Sequence, residues 1–110
     1  MATRTRIDEY EQVLDDRTYM RVRMTMHDNA LVNYAVILVH QPVGQAPLAV
    51  RIYDYAHGVH DEHRCDRAGV SMPARKFHHG GVREGFDHAR RLIRAEYVTM
   101  ISTWLDQPPT

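Results

Sequence analysis

Strict alternation opens at Thr18. Met20, Val22, Met24 and Met26 fall on one side and Arg21, Arg23, Thr25 and His27 on the other, the period of two that marks a half-buried strand. Asp28-Asn29 is a turn signal, because both side chains bond nearby backbone and tolerate left-handed conformations, so a hairpin follows. Leu31 to His40, reading LVNYAVILVH, is apolar in both phases and rich in β-branched residues, as expected of a central strand buried on both sides. Two prolines and Gly44 between Gln41 and Pro47 end it. Leu48, Val50 and Ile52 then alternate against Ala49, Arg51 and Tyr53, a further strand in which Asp54 continues the apolar row. A carboxylate there requires either that the strand stops short of it or that a partner at the sheet's rim satisfies its charge.

Gly58 lets the backbone bend after His57, and a strand resumes near Asp61 and runs to about Asp66. Residues 66–69 form a turn, and Val70 to His79 is irregular or a short edge strand limited by Pro73. From Val82 to Leu105 the period changes: Phe86, Ala89, Ile93, Tyr97, Met100, Ile101 and Trp104 recur at steps of three and four, a helical stripe long enough to cover a sheet. Gly81 is a candidate N-cap, and Glu84 is favoured by the helix dipole. The expected fold class is α+β, a small antiparallel sheet of three to five strands packed by one long C-terminal helix. Residues 1–17 mix acids and arginines with few apolar groups and read as a weakly packed lead-in, so a single domain spans residues 1–110.

Composition adds bounds. Apolar residues at 44% and charged ones at 25% fit a globular chain and exclude a disordered one. Cys65 is the only cysteine, which excludes an intrachain disulfide and suits a reducing, cytoplasmic compartment. The longest apolar run, Tyr34 to Val39, is too short to span a bilayer, so no membrane partner is expected. The chain is expected to fold alone or as a small oligomer, a homodimer included. A formal net charge of zero argues against a generally basic nucleic-acid-coating protein, but six of the eight histidines lie within residues 51–94, so any special chemistry is local to that half.

Within it, RIYDYAHGVHDEHRCD (residues 51–66) carries His57, His60 and His63 among acids and arginines. Two imidazoles near neutral pKa serve as base and acid in RNA cleavage, and arginine forks match phosphate oxygens. On that reading Asp54, His57, His60 and His63 are the catalytic candidates, with Asp54 orienting an imidazole. Arg51, Arg64, Arg75 and Lys76 contact phosphate, Tyr53 or Tyr55 stacks on an unpaired base, and no cofactor is needed. A second reading gives Asp54, His57, His60 and His63 to zinc or another divalent metal, but steps of three send successive residues to opposite faces of a strand, so all converge only if Gly58 bends the chain. A third is a solvated turn, or a non-catalytic interaction domain. His78 and His79 read as an exposed loop, and His88 as part of the helix's wet face.

The segment from Val32 to Gly69, with its Tyr53-Asp54-Tyr55-Ala56-His57-Gly58 run followed by His60 and His63, resembles small prokaryotic toxins of the TumE type, which also end in a helix. Tyr55 stands where Asn is common, and His63-Arg64 where His-x-His is expected. The resemblance implies a RelE-like α+β toxin that cleaves RNA and is held by a cognate antitoxin protein.

Overall fold

The computed structural model describes residues 4–108. Six strands, β1 (Thr5–Asp15), β2 (Thr18–His27), β3 (Ala30–His40), β4 (Leu48–Asp54), β5 (His60–Arg64) and β6 (Arg75–His78), form one antiparallel sheet in sequence order. A single helix, α1 (Val82–Leu105), packs on one face, mainly across β3 and β4. The class is the expected α+β, but the strand count exceeds the expected three to five. The additional strand is the segment read as a loose lead-in. β1 pairs with β2 along its length, and α1 reaches it through the Tyr97 hydroxyl, which donates to the Leu14 carbonyl at 3.3 Å, and through Arg90, which donates to the Tyr10 hydroxyl at 3.2 Å.

The β2–β3 hairpin turns at Asp28 and Asn29, both at positive φ (48° and 66°), the handedness that matches the twist of the flanking strands. Under α1 lie Met20, Val22, Tyr34, Val36, Leu38, Val50 and Tyr53 from the sheet, meeting Phe86, Ala89, Ile93, Met100, Ile101 and Trp104 from the helix. Each fully buried large side chain in such a layer stabilises by about 1.5–3 kcal/mol. β3 fits its reading as a strand buried on both sides only in part: Leu31, Tyr34, Val36 and Leu38 are buried under the helix, whereas on the far face Val39 is buried but Asn33, Ala35 and Ile37 are only half covered. Among the described residues no helix is long and apolar enough to cross a membrane.

One irregularity sets up the site. Leu38 pairs with Arg51 but Val39 pairs with Ala49, so Val50 is an extra residue in β4. This β-bulge shifts the phase of the pleat. Before it Leu48 and Val50 follow the apolar row. Beyond it Arg51 and Tyr53 take the helix side, since they pair with Leu38 and Val36, and Ile52 and Asp54 take the far face with Ile37 and Ala35. Asp54 therefore does not continue the Leu48–Val50 row.

Candidate functional site

β5 reads HDEHR, an ionisable side chain at all 5 positions. The pleat sends His60 and Glu62 to the helix side and Asp61 and His63 to the far side. The register agrees, with Tyr53 opposite Glu62 and Asp54 opposite Asp61. The three histidines that stand together in sequence are therefore dispersed: His57 is exposed in the β4–β5 loop, His60 lies beneath α1, and His63 is on the opposite face.

On the covered face His60 and Glu62 are satisfied, although Arg51 Nε and His78 Nε2 are buried with no hydrogen-bond partner among the described residues. The His60 Nε2–H donates to the Gly80 carbonyl at 3.1 Å, which leaves Nδ1 to accept from the Tyr34 hydroxyl at 2.7 Å. Burial, with the nearby Asp54 carboxylate second, raises the Tyr34 phenol above its usual range, so it remains the donor. The imidazole fits because position 85 is glycine: any Cβ there would collide with the His60 ring. Glu62, which the sequence did not single out, accepts from the Tyr53 hydroxyl at 2.8 Å and pairs with Arg51 at 3.6 Å and Arg75 at 3.7 Å. Burial and that bond to Glu62 also raise the Tyr53 phenol. Tyr53 is 0% exposed, so it has no ring face to offer a base, and Arg51 points into the same buried network. Tyr55 is half-buried with its ring 4.6 Å from His60, and Arg64 and Arg75 line a separate depression with Met72 and Pro73 on the helix side of the sheet edge.

His78 and His88 also depart from the sequence reading. His78 closes β6 and His88 turns inward, their Nδ1 atoms 2.9 Å apart, with one ring donating and the other accepting. The His78 ring centroid is 5.1 Å from that of His60, whereas His79 is exposed. Burial first, then the neighbouring His60 and His88, lower the His78 pKa from its ordinary 6.5.

The far face is different. His63 Nδ1–H donates to the Met72 carbonyl at 3.3 Å, and its Nε2 lies 3.5 Å from an Asp54 carboxylate oxygen. Asp61 stands directly across from Asp54, and one ligand atom from each of Asp54, Asp61 and His63 lies within 4.8 Å of the others. The cross-strand row through this group runs Glu9, Arg23, Ala35, Asp54, Asp61, Lys76, so Arg23 and Lys76 flank the carboxylates on one face. Beside it a depression of about 280 Å³ is lined by Glu9, Arg21, Arg23, Ala35 and Ile37. Asp54, His63 and Lys76 of the sequence candidates come together here. Asp61, Arg21 and Arg23 join them unforeseen, although reading HDEHR with a period of two pairs Asp61 with His63.

Comparison of the chain with family models, with curated proteins and with solved structures gave no match.

Proposed function

We propose that the protein is an endoribonuclease that works on the sheet face away from α1. The observation that carries this reading is the Asp54–His63 pair, at 3.5 Å, on the same face as Arg21, Arg23 and Lys76. Cleavage of a phosphodiester needs an attacking oxygen to lose its proton and a cation to meet the charge that builds on the phosphoryl oxygens. Asp54 and His63 activate the attacking 2′-hydroxyl, which loses its proton as its oxygen bonds to phosphorus; the bond to the 5′-oxygen breaks, and that leaving oxygen takes a proton from water. The guanidinium groups of Arg21 and Arg23, which pair with Glu11 and Glu9 but stay exposed and can exchange those partners for phosphate, and the ammonium group of Lys76 supply positive charge along an extended strand of RNA, whose 2′-hydroxyls and phosphates are accessible when unpaired. His60 and Tyr53 serve the architecture instead, because their polar atoms are already bonded inside the protein.

The role of toxin, neutralised by a partner protein, follows from the resemblance of residues 32–69 to TumE-type proteins and is part of the same proposal. The test is incubation of the purified protein with a labelled structured RNA, in buffers with EDTA and with divalent metals. Wild type is expected to cut it, and His63→Ala and Asp54→Asn to lose at least about 100-fold in rate. RNA left intact by wild type in every buffer overturns the reading.

A further inference from the structure

Asp61 is 8% exposed, and among the described residues no hydrogen bond or ion pair reaches its carboxylate. Its nearest register partner on one side is a second carboxylate, Asp54. Like charges directly opposite on neighbouring strands repel, and a largely buried carboxylate without a protein partner gives up much of its hydration with no ion pair in return. Lys76, its neighbour on the other side, is exposed and makes no ion pair with it among the described residues. The pleat nevertheless directs Asp61 toward Asp54 and His63.

His63 points the same way. Because its Nδ1–H is engaged by the Met72 carbonyl, the neutral ring carries its lone pair on Nε2, the atom that faces Asp54. In that form Nε2 and the Asp54 oxygen 3.5 Å away are both acceptors, an arrangement that a shared cation satisfies. A ring N–H anchored on a backbone carbonyl is also how proteins orient an imidazole that binds metal through its other nitrogen.

We propose that Asp54, Asp61 and His63 are the ligands of one divalent cation of the manganese or zinc type. The donor set is one imidazole nitrogen and two carboxylate oxygens, which suits those ions and leaves positions open for water or a phosphate oxygen. Bonds of about 2.0–2.2 Å require ligand atoms about 3–3.5 Å apart, so the His63–Asp54 separation already fits. The remaining separations, up to 4.8 Å, close by side-chain rotation on a fixed ladder. The cation neutralises both carboxylates at once. That it serves RNA cleavage, by holding a phosphate oxygen between Arg23 and Lys76, rests on the proposed function, whereas the site itself rests on the geometry alone.

The test is binding of Mn²⁺, by electron paramagnetic resonance, and of Zn²⁺, by calorimetry, to untagged full-length protein stripped with EDTA and desalted. Wild type is expected to bind about one equivalent of at least one ion, and saturating metal to raise Tm by about 10 °C at a hundredfold excess over Kd. Asp61→Asn and His63→Ala are each expected to weaken binding at least about 100-fold and to abolish that rise. Asp61→Asn also guards against misfolding as the cause of lost binding, since removing an unpartnered buried charge leaves the metal-free Tm equal to or above that of wild type. Less than about a tenth of an equivalent bound to wild type, or unchanged binding in both variants, overturns the proposal. RNA cleaved at full rate in EDTA overturns the cation's role but leaves the proposed function standing. Metal bound by protein that leaves RNA intact supports the site and overturns the proposed function.

Discussion

Strands β4 and β5 carry ionisable residues to both faces of one sheet, and the two faces treat them in opposite ways. Beneath α1, Glu62 has three partners, Tyr53, Arg51 and Arg75, and each nitrogen of His60 is bonded. On the far face, one residue along each strand, Asp61 has no partner among the described residues, while Asp54, which accepts from the Ala56 N–H at 3.4 Å, and His63, which donates to the Met72 carbonyl, face each other at the loose distance of 3.5 Å. Composition is nearly the same on both sides, so histidine count does not locate the chemistry. Charge compensation does: Glu62 is matched by two arginines, whereas Asp61 faces a second carboxylate with no cation paired to it among the described residues, which leaves it free to hold a ligand.

The sharpest way to break this contrast is to remove a charge from each face. Glu62→Ala leaves the buried Arg51 guanidinium uncompensated and the Tyr53 hydroxyl without its acceptor. It is expected to cost about 3–5 kcal/mol, read as a fall in the urea midpoint with unchanged slope. Asp61→Asn, on the adjacent residue, is expected to cost nothing in metal-free protein. Equal losses in the two variants would mean that the two faces are not different in kind.

Next in size is the packing of His60. Gly85→Ala puts a methyl group into the imidazole and is expected to destabilise by about 1–3 kcal/mol. Because the affected ring lies on the covered face, RNA cleavage by the folded fraction should be unchanged. A catalytic loss much larger than the folding loss would return His60 to the chemistry.

Much of the architecture is legible in the sequence because burial imposes a period. β2 alternates since Met20 and Val22 face the helix and Arg21 and Arg23 face water, and α1 carries a stripe since Phe86, Ala89, Ile93 and Trp104 all reach the sheet. β1 has no such signature. It is an edge strand whose Ile7 and Val13 are exposed, held by its ladder to β2 and by the Glu9–Arg23 and Glu11–Arg21 pairs, so no apolar rhythm records it. The site was half legible. Asp54 is conspicuous as a carboxylate ending an apolar row, but its face depends on the bulge at Val50, which is a property of pairing between strands. The spacing of three made His57, His60 and His63 look like one unit, although a strand separates what it counts together.

A smaller effect tests the histidines at the helix start. The His78 pKa is lowered in the folded protein, so the unfolded chain binds the additional proton, and stability falls as pH drops. The contribution is fully present above 6.5, the ordinary value, and is lost as pH falls through the lower folded value. His78 faces His60, His88, Glu84 and His79, and protonating both His78 and His88 also removes their shared hydrogen bond. His78→Gln should therefore flatten the fall in urea midpoint between about pH 7.5 and pH 5. Some slope remains from His40, which burial also lowers. A slope identical to wild type would remove His78 from this account.

The smallest change in stability is expected where the far face meets β1. Arg23 and Glu9 pair at 3.1 Å with both side chains more than half exposed, so solvent screens the attraction and Arg23→Gln should alter folding by less than about 1 kcal/mol. Its effect on RNA should be out of proportion to that. Arg23 shares a cross-strand row with Asp54 and Asp61, about 10 Å, or two strand spacings, from Asp54. If it touches a backbone phosphate, its loss releases one fewer counterion on binding. The plot of log affinity for single-stranded RNA against log salt should then lose about 0.7 in slope. Arg83→Gln, on α1 and pairing with Asp87 at 3.6 Å, removes the same charge from the helix side and should leave that slope alone. Equal slope changes in the two variants would show that RNA responds to net charge rather than to this face, and the functional distinction between the faces would fall with it.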